Sequence, residues 1–401
     1  MVNFLEATLA ALALLSLALA LWQWLAARRF PLHRRVTEPS STPACGDEAP
    51  TLAAEERRPA ITSLKPLKGC DATTAESLQS WFSQNYPGQI QILFGVADAS
   101  DPVCQIVREL IEKNPGRDAQ LVVCAESLGA NGKVSTLIQL ERLAKHPLIL
   151  VSDADVRVPP DFLANITAPL RDSKVGLVNC FYRLANPATT AMRCEAVAIN
   201  ADFWSQVLQS TNLKPLDFAL GAAMLTRRKF LEEIGGFAAW VNCLADDYQL
   251  GHRIAQRGHR IALCPVVVEC WDAPMNWCDV WKHQLRWART IRVCRPLPYF
   301  FSILSNATLW PLLWLIASLV WSKTLCAPLI AVVCLLIRIV LAQNLQRRFM
   351  QSRDNIAPPW LAPVKDLQQA AIWAGAFLGN TVEWRGQKMR LRRDGTLIAE
   401  K

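Results

Sequence analysis

The sequence predicts an α/β fold, a doubly wound sheet domain, with flanking apolar helices that enter a membrane. The central part of the chain alternates between short strand-like and longer helix-like segments, which is the pattern of a doubly wound sheet. Outside it lie three apolar stretches, at residues 4–25, 299–321 and 325–342. Each approaches the roughly 20 residues that span hydrocarbon. Hydrophobic residues make up 52% of the chain and charged residues 19%, a balance that favours a membrane protein.

The first half of the predicted domain follows a regular strand–helix order. Strands are predicted at residues 60–69, 90–96, 120–124 and 148–152, and helices at residues 74–84, 103–113 and 133–144. Short apolar runs indicate the strands, and turn residues such as Pro87 and Gly88 separate the segments. This order is the basis of the doubly wound prediction.

The second half is less regular. Strands are predicted at residues 175–179 and 260–268, a short apolar segment at 221–226, and helices at 189–209, 248–256 and 277–292. The last helix contains Trp277, Trp281 and Trp287, which suit a membrane interface. Packing in a core explains any one of these tryptophans equally well.

Basic residues beside the apolar stretches predict the orientation in the membrane. They are Arg28, Arg29, Arg34 and Arg35 after the first stretch, and Arg347 and Arg348 after the third. By the positive-inside rule these flanks lie in the cytoplasm. A cleaved signal peptide, one alternative, needs a basic segment before its apolar run, and residues 1–6 have none. A buried core helix is the other alternative. We expect an integral protein of the cell (inner) membrane with a cytoplasmic middle region.

These observations divide the chain into five regions. We predict a transmembrane helix at residues 1–27, a basic and flexible linker at 28–60, the α/β domain at 61–292, two transmembrane helices at 293–345, and a basic, partly membrane-associated region at 346–401. The linker is rich in Pro, Ser, Thr, Ala and Glu, which favours irregular structure.

The net charge of +9 does not predict a nucleic-acid partner. Much of the positive excess lies beside the apolar stretches or within residues 385–393. Basic residues so placed attract anionic lipid head groups, at about 1 kcal/mol each near the surface. The 13 cysteines include no Cys-x-x-Cys pair, so neither a zinc site nor a disulfide framework is predicted. The lipid bilayer is the expected partner.

Two carboxylates follow the apolar run at residues 148–152. Asp153 and Asp155 end this predicted strand one residue apart. Ligands of open α/β sheets bind beyond the carboxyl ends of the strands. Two aspartates there can hold a divalent metal, Mg²⁺ or Mn²⁺, which in turn holds a diphosphate. An Asp-x-Asp triplet alone is a weak indication, because solvated loops contain many.

Further polar residues follow in sequence order, and each has a structural alternative. Asp98 closes a predicted strand, where it either recognises a base or ribose or caps a turn. Asn131 and Lys133 can place an amide and an ammonium near a diphosphate, although such Gly- and Asn-rich segments are also ordinary turns. Asp246 and Asp247 precede a helix, where they serve as caps or as a catalytic base.

The predicted helix at residues 277–292 contains the sequence His283-Gln284-Leu285-Arg286-Trp287. The guanidinium of Arg286 can bind a leaving diphosphate, and the indole of Trp287 can contact an acceptor. The alternative is an Arg/Trp anchor at a membrane interface.

As an ordered set, these motifs resemble the ceramide glucosyltransferase family. The similarity covers residues 61–292 and the membrane regions on either side. The matching features are a Lys-Pro-Leu-Lys-Gly opening at residues 65–69, Asp98 before a short Asp-Pro loop, Asp153, Asp247, and the Arg286-Trp287 pair. The Asp153-Ala154-Asp155 triplet together with residues 283–289 looks most like the bacterial branch, which includes hopanoid-associated glycosyltransferases.

The resemblance implies a GT-A fold, a Rossmann-like domain of nucleotide-diphospho-sugar transferases, and inverting transfer from a UDP-sugar donor to the hydroxyl of a membrane lipid acceptor. It implies that the donor is bound by Lys68, Asp98, Asp153 and Arg286. From the chemistry of their side chains we add Asn131, Lys133 and His283 to the predicted donor-binding residues, since the imidazole of His283 can contact the pyrophosphate. Asp247 is the expected base, with Asp246 as the alternative. Arg286 and Trp287 complete the catalytic set. His283 departs from the family pattern, which has Gln or Arg at that position.

Three other functions stay open. A processive polysaccharide synthase shares the fold, but we would expect more membrane spans and an intact Gln-x-x-Arg-Trp motif. A polyprenyl-phosphate sugar transferase would use a phosphate acceptor. A non-catalytic membrane scaffold would keep the fold without needing every acidic motif.

Overall fold

The computed structural model describes residues 2–36, 59–322, 324–351, 355–384 and 387–399. The chain divides into two compact units. The sheet unit comprises residues 31–182 and 215–273, and the helical unit comprises residues 1–30, 183–214 and 274–401. Most of the predicted linker lies outside the described residues, and the predicted domain boundaries stay predictions.

The sheet unit is built on a mixed sheet. Its strands within the described residues are β1 (Ile61–Leu67), β2 (Ile90–Val96), β3 (Asp118–Val123), β4 (Leu148–Ser152), β5 (Val156–Arg157), β6 (Val175–Leu184), β7 (Ala223–Arg227) and β8 (Arg260–Cys270). Across the sheet their order is β3-β2-β1-β4-β7-β6-β8-β5. All of β6 except its last two residues belongs to the sheet unit.

One half of this sheet is parallel and the other is antiparallel. β1 pairs in parallel with β2 and β4, and β2 pairs in parallel with β3. β7 is antiparallel to both β4 and β6, and β5 is antiparallel to β8. The predicted α/β class is confirmed, and the structure adds antiparallel strands that the doubly wound prediction did not contain.

Helices follow the parallel strands, as the alternating sequence pattern predicts. In chain order the described α-helices are α1 (Val2–Arg29), α2 (Thr74–Phe82), α3 (Val103–Lys113), α4 (Gly132–Glu141), α5 (Phe162–Thr167), α6 (Thr190–Val197), α7 (Trp204–Thr211), α8 (Arg228–Glu233), α9 (Asp246–Gln256), α10 (Trp277–Cys294), α11 (Pro296–Phe301), α12 (Leu309–Trp321), α13 (Cys326–Met350) and α14 (Leu361–Phe377). Of these, α2–α5, α8 and α9 lie in the sheet unit.

Aromatic side chains fill the core of the sheet unit. Trp81 on α2 packs edge-to-face on Phe162, with ring centroids 5.8 Å apart. Phe82 stacks on Phe94 of β2 at 5.7 Å. All four side chains are buried. Full burial of a large apolar side chain contributes about 1.5–3 kcal/mol, so this core holds α2 firmly against the sheet.

The helical unit contains the apolar stretches. Two helices of the described residues, Phe4–Arg29 and Cys326–Met350, are long and apolar enough to cross a membrane. The segments Pro296–Ser305 and Leu309–Trp321 would add a third span only if the pair, bent by 45°, crossed as one. Asn306 accounts for the break, because its Oδ1 accepts a hydrogen bond from the amide of Leu309 at 2.8 Å and so starts a new helix.

Two further features of the helical unit were not predicted. The helix expected at residues 189–209 passes from α6 through a π-helical turn at Ala198–Phe203 into α7. After α14 the chain forms a small antiparallel sheet of β9 (Thr381–Trp384), β10 (Gln387–Leu391) and β11 (Leu397–Ala399).

Candidate active site

Three predicted motifs meet at one edge of the sheet. β1, β2 and β4 run parallel, so their carboxyl ends lie at the same edge. Lys68 follows β1, Asp98 follows β2, and Asp153 follows β4. Ligands of open α/β sheets bind in the crevice beyond this edge. The strand register thus gathers residues that are far apart in the sequence.

Lys133 connects two of the acidic motifs. Its Nζ lies 2.6 Å from Oδ1 of Asp153 and 2.9 Å from Oδ2 of Asp246. The Lys133 side chain is only 9% exposed. Burial by itself lowers the pKa of Lys133, but the charges of the two carboxylates outweigh burial and raise that pKa above its ordinary value. Lys133 therefore stays protonated and places a fixed positive charge between the two motifs.

Asp247 is in the first turn of α9, next to Asp246. Its Oδ1 accepts a hydrogen bond from the amide of Tyr248 at 2.7 Å. Burial, and then the negative charge of Asp246, raise the pKa of Asp247 to about 6, while Lys133 opposes the rise. A carboxylate whose pKa lies near the working pH is suited to general-base catalysis.

The second carboxylate oxygen of Asp247 faces Gly221. A Cβ atom added at residue 221 would lie 3.0 Å from Oδ2 of Asp247. The absence of a side chain at Gly221 therefore leaves the space that this carboxylate occupies. The sequence indicated no role for residue 221, because a glycine in a short apolar segment carries no functional signal of its own.

Asp155 lies in acidic surroundings. Burial, and then the negative charges of Asp153 and Asp272, raise the pKa of Asp155 to about 7. A divalent cation bound through carboxylate oxygens would remove this repulsion. Within the described residues no group of three or more His, Cys, Asp or Glu side chains could hold a metal ion. The donor set fits a cation held by two protein carboxylates, whose remaining ligands would come from a phosphate and water.

The buried side chain of Lys65 holds the carboxyl end of β4 in place. Its side chain is 0% exposed, and its Nζ donates to the carbonyl oxygen of Asp153 and to Oγ of Ser152, the latter at 3.3 Å. The same Nζ lies 4.4 Å from the ring centre of Trp81. Burial lowers the pKa of Lys65 to about 7, against the opposing charges of Asp155 and Asp153. The Lys-Pro-Leu-Lys-Gly opening contains this residue, although the resemblance implicates Lys68.

The loops after β1 and β2 are joined by Asp101. Both carboxylate oxygens of Asp101 accept the amide of Gly69, at 2.9 and 3.1 Å. Gly69 has a φ of 70°, which favours glycine. Asp98 is exposed, and its Oδ1 accepts the amide of Ser100 at 2.8 Å, which lowers the pKa of Asp98. The donor-binding roles of Asp98 and of the exposed Lys68 stay predictions.

Asn131 connects α4 to the segment before α9. It is the N-cap of α4, where its Oδ1 accepts the amide of Val134 at 3.2 Å, and its Nδ2 donates to the carbonyl oxygen of Cys243 at 2.7 Å. The side chain is 0% exposed. These contacts hold the chain that leads to Asp246, and binding of a donor by Asn131 stays a prediction.

The His283–Trp287 motif lies on α10 in the helical unit. Nδ1 of His283 lies 2.8 Å from Oε1 of Glu195, and Nε2 of Gln284 donates to the same oxygen at 2.7 Å. The Glu195 side chain is only 1% exposed. The ring of His283 lies 4.5 Å from that of Trp287. Glu195 therefore orients this turn of α10, and the sequence offered no signal that a lone glutamate in a predicted helix would do so.

Comparison of the sequence with those of known protein families identifies the family of this chain. The sequence pattern of glycosyl transferase family 21 matches residues 8–397, nearly the whole chain. The chain belongs to glycosyl transferase family 21. Its motifs in sequence order predicted this relationship, and the resemblance to ceramide glucosyltransferases is confirmed.

Several relatives of this family 21 chain are ceramide glucosyltransferases. It is 25% identical over 236 residues to ceramide glucosyltransferase 3 of Caenorhabditis elegans, covering 59% of the chain and 48% of the relative. It is 34% identical over 122 residues to the ceramide glucosyltransferase of Candida albicans, covering 28% of the chain and 22% of the relative. It is 25% identical over 237 residues to the probable glycosyltransferase YdaM of Bacillus subtilis, covering 58% of the chain and 55% of the relative. The chain spans about half the length of the curated relatives it matches.

A solved structure shares the fold. The mannosyltransferase PcManGT of Pyrobaculum calidifontis, determined with GDP-Man and Mn²⁺, aligns with 94% of this family 21 chain and 99% of its own, with a TM-score of 0.55 and 20% identity. The GT-A fold that the motifs implied is thereby confirmed.

Proposed function

We propose that this family 21 glycosyltransferase transfers a sugar from a UDP-sugar to the hydroxyl group of a membrane lipid, with inversion at the anomeric carbon. The observation that carries the proposal is the position of Lys133 between Asp153 and Asp246. One buried cation joins the motif that would hold the donor diphosphate to the acidic pair that would activate the acceptor. The two apolar helices support an acceptor that resides in a membrane.

Asp153 and Asp155 would hold a divalent cation, Mg²⁺ or Mn²⁺, together with the donor diphosphate. When bound, the cation supplies Lewis-acid stabilisation of the leaving UDP. The buried ammonium of Lys133 adds fixed positive charge for the same leaving group. Lys65 holds the Asp153 backbone in place through its hydrogen bond to the carbonyl oxygen.

Asp247 would take the proton of the lipid hydroxyl. As this proton moves to the carboxylate, the hydroxyl oxygen bonds to the anomeric carbon. The bond from that carbon to the UDP oxygen breaks, and its electron pair leaves with the diphosphate. Attack opposite an α-linked UDP group gives a β-glycoside. A well-placed general base contributes about 10²–10⁴-fold to the rate. Asp246 is the alternative base.

The finer features are also part of this proposal. The acceptor is ceramide or a hopanoid polyol, and the family resemblance assigns Arg286 and Trp287 to the catalytic set. His283, which departs from the family pattern, would contact the donor pyrophosphate through its imidazole. The protein resides in the cell (inner) membrane, and its catalytic side faces the cytoplasm, as the basic flanks of the apolar helices predict.

A panel assay tests this function. Full-length protein in phospholipid nanodiscs is given UDP-glucose, UDP-N-acetylglucosamine or UDP-galactose with Mg²⁺ or Mn²⁺, and ceramide, a hopanoid polyol, diacylglycerol or undecaprenyl phosphate. We expect a β-glycoside of one neutral lipid, and no product in EDTA. Transfer only to undecaprenyl phosphate would indicate a polyprenyl-phosphate sugar transferase. A polysaccharide product would indicate a processive polysaccharide synthase. Full turnover in EDTA would contradict the metal site.

A further inference from the structure

A short irregular segment passes over α9 just before β7 begins. This crossing segment, residues 218–222, is neither helix nor strand, and it belongs to the sheet unit together with α9. Its residues Ala219, Leu220 and Ala222 are only 3–4% exposed. Irregular segments usually run over the surface of a protein. The position of this buried one is therefore set by the elements that pack against it.

The crossing segment touches both halves of the candidate site. At Gly221 it faces the proposed base, since a Cβ atom added there would lie 3.0 Å from Oδ2 of Asp247. At Ala222 its carbonyl oxygen accepts the amide of Asp153 at 3.3 Å. One short stretch of backbone thus contacts the proposed metal-binding motif and the proposed base. The packing of this stretch against α9 bears on the distance between the two.

Gly251 is the point of α9 that the crossing segment approaches most closely. It is buried and lies four residues after Asp247, so both residues are on the same face of the helix. A Cβ atom at residue 251 would lie 2.5 Å from the carbonyl carbon of Phe218 and closer still to the amide nitrogen of Ala219. Carbon atoms pack at about 3.5–4.0 Å. Both neighbours are backbone atoms, so rotation of a side chain could not make room.

The carboxyl end of the crossing segment is held in place by the sheet. Ala223, the next residue, is in β7 and pairs with Ser152 of β4, and β7 also pairs with β6. Asp153 directly follows Ser152, so it is fixed by the same strands. A side chain at residue 251 would therefore displace residues 218–221 or α9. Either displacement changes the position of Asp247 while Asp153 stays with β4.

We propose that Gly251 is a positioning residue for the transfer reaction. Its missing side chain lets the crossing segment lie against α9 and so sets the distance between Asp247 and the donor site. This inference rests on the proposed function and deepens it by adding a residue that acts through Asp247. Glycine weakens a helix interior relative to alanine, so its presence in α9 calls for a reason. The close approach of the backbone at residues 218 and 219 supplies one.

A set of glycine variants of the full-length protein in nanodiscs tests this role. Gly251→Ala, Gly221→Ala and the double variant are compared by the kcat of sugar transfer to lipid and by the Kd of UDP with Mg²⁺. Hydrogen–deuterium exchange of the crossing segment is measured on the same preparations. Gly375→Ala is the matched control, because Gly375 also lies inside a helix, α14, and its Cβ would meet Leu285 at 3.8 Å, an ordinary contact.

We expect kcat to fall by about 10²-fold in Gly251→Ala, the effect of a displacement of about 1 Å in a reacting group. The Kd of UDP should stay at the wild-type value, because Asp153 is held by β4. Exchange of the crossing segment should be faster than in the wild type. Independent losses in the two single variants would multiply, to about 10⁴-fold in the double variant. Since both act on one segment, the double variant should lose little more than the worse single variant. Gly375→Ala should keep the wild-type kcat.

Leu220→Ala is the second variant, for the case that Gly251→Ala does not fold. It removes a buried side chain of the crossing segment without forcing a clash, and it should likewise lower kcat while UDP binding is kept. A wild-type kcat in the folded variant would overturn the proposal. So would a loss of UDP binding as large as the loss of kcat, or losses that multiply in the double variant.

The proposed function fails separately. A wild type that transfers no sugar to any lipid, while Gly251→Ala still speeds exchange of the crossing segment, contradicts the function alone. A wild type that glycosylates a lipid, with the same kcat in Gly251→Ala and Leu220→Ala, contradicts the positioning role alone.

Discussion

The ammonium of Lys133 lies 2.6 Å from the carboxylate of Asp153. The two residues come from different elements, since Lys133 is in the first turn of α4 and Asp153 directly follows β4. The same ammonium lies 2.9 Å from Asp246, the neighbour of Asp247. The charge that would stabilise a leaving diphosphate is therefore fixed to the segment that contains the proposed base.

Lys133→Met should lower kcat/KM for the UDP-sugar by about 10²-fold or more, since it removes a preorganised cation from the leaving group. The measurement is steady-state transfer to lipid in nanodiscs. Lys145→Met is the matched control, because Lys145 forms an exposed ion pair with Asp118 whose side chains are 55 and 38% exposed. Such surface pairs contribute about 0–1 kcal/mol, so that variant should keep its activity. Equal rates in both variants would remove Lys133 from the proposed site.

The raised pKa of Asp247 predicts an acidic limit to activity. Only the ionised carboxylate can accept a proton, and the pKa is about 6. The active fraction is therefore high above this pH and falls about tenfold per unit below it. A profile of kcat/KM against pH reports this group in the free enzyme. Lys133→Met should move the acidic fall of this profile to higher pH, because Lys133 is the cation that lowers the pKa of Asp247. A fall in activity that begins only near pH 4, the pKa range of an ordinary aspartate, would contradict the assignment of Asp247 as the base.

Gly221→Ala should slow transfer while leaving donor binding intact. The new Cβ would lie 3.0 Å from Oδ2 of Asp247, so the carboxylate must shift. A misplacement of about 1 Å in a reacting group can cost on the order of 10²-fold in rate. Gly116→Ala is the control, since its Cβ would meet nothing within 4 Å. The two variants are compared by kcat and by the Kd of UDP. A wild-type kcat in Gly221→Ala would show that the space beside Asp247 does not matter.

Local patterns account for the parts of the fold that could be predicted. β2 and α3 begin and end at the residues that the sequence indicates, because an apolar run and helical periodicity are local signals. The insertion of β7 between β4 and β6 depends on long-range pairing that no local pattern contains.

Local sequence patterns also account for only part of the candidate site. Asp153 and Asp247 were predicted from the order of the motifs, and Lys133 from its place in a Gly- and Asn-rich segment; their functional roles stay predictions. Gly221 was missed because its importance comes from an approach to Asp247 across the fold.

Asp247→Asn tests the central claim most directly. Asparagine keeps the size of the side chain but cannot accept the proton of a lipid hydroxyl. Two quantities are measured on the same preparation: the Kd of UDP in the presence of Mg²⁺ or Mn²⁺, by calorimetry, and the rate of sugar transfer to lipid in nanodiscs. Asp246→Asn is the paired variant, because Asp246 is the neighbouring carboxylate that contacts Lys133.

If Asp247 is the base, its variant should bind UDP as the wild type does, while transfer falls by at least about 10²-fold. Transfer near the wild-type rate in Asp247→Asn, with the loss appearing in Asp246→Asn instead, would contradict the account and move the role to the neighbour.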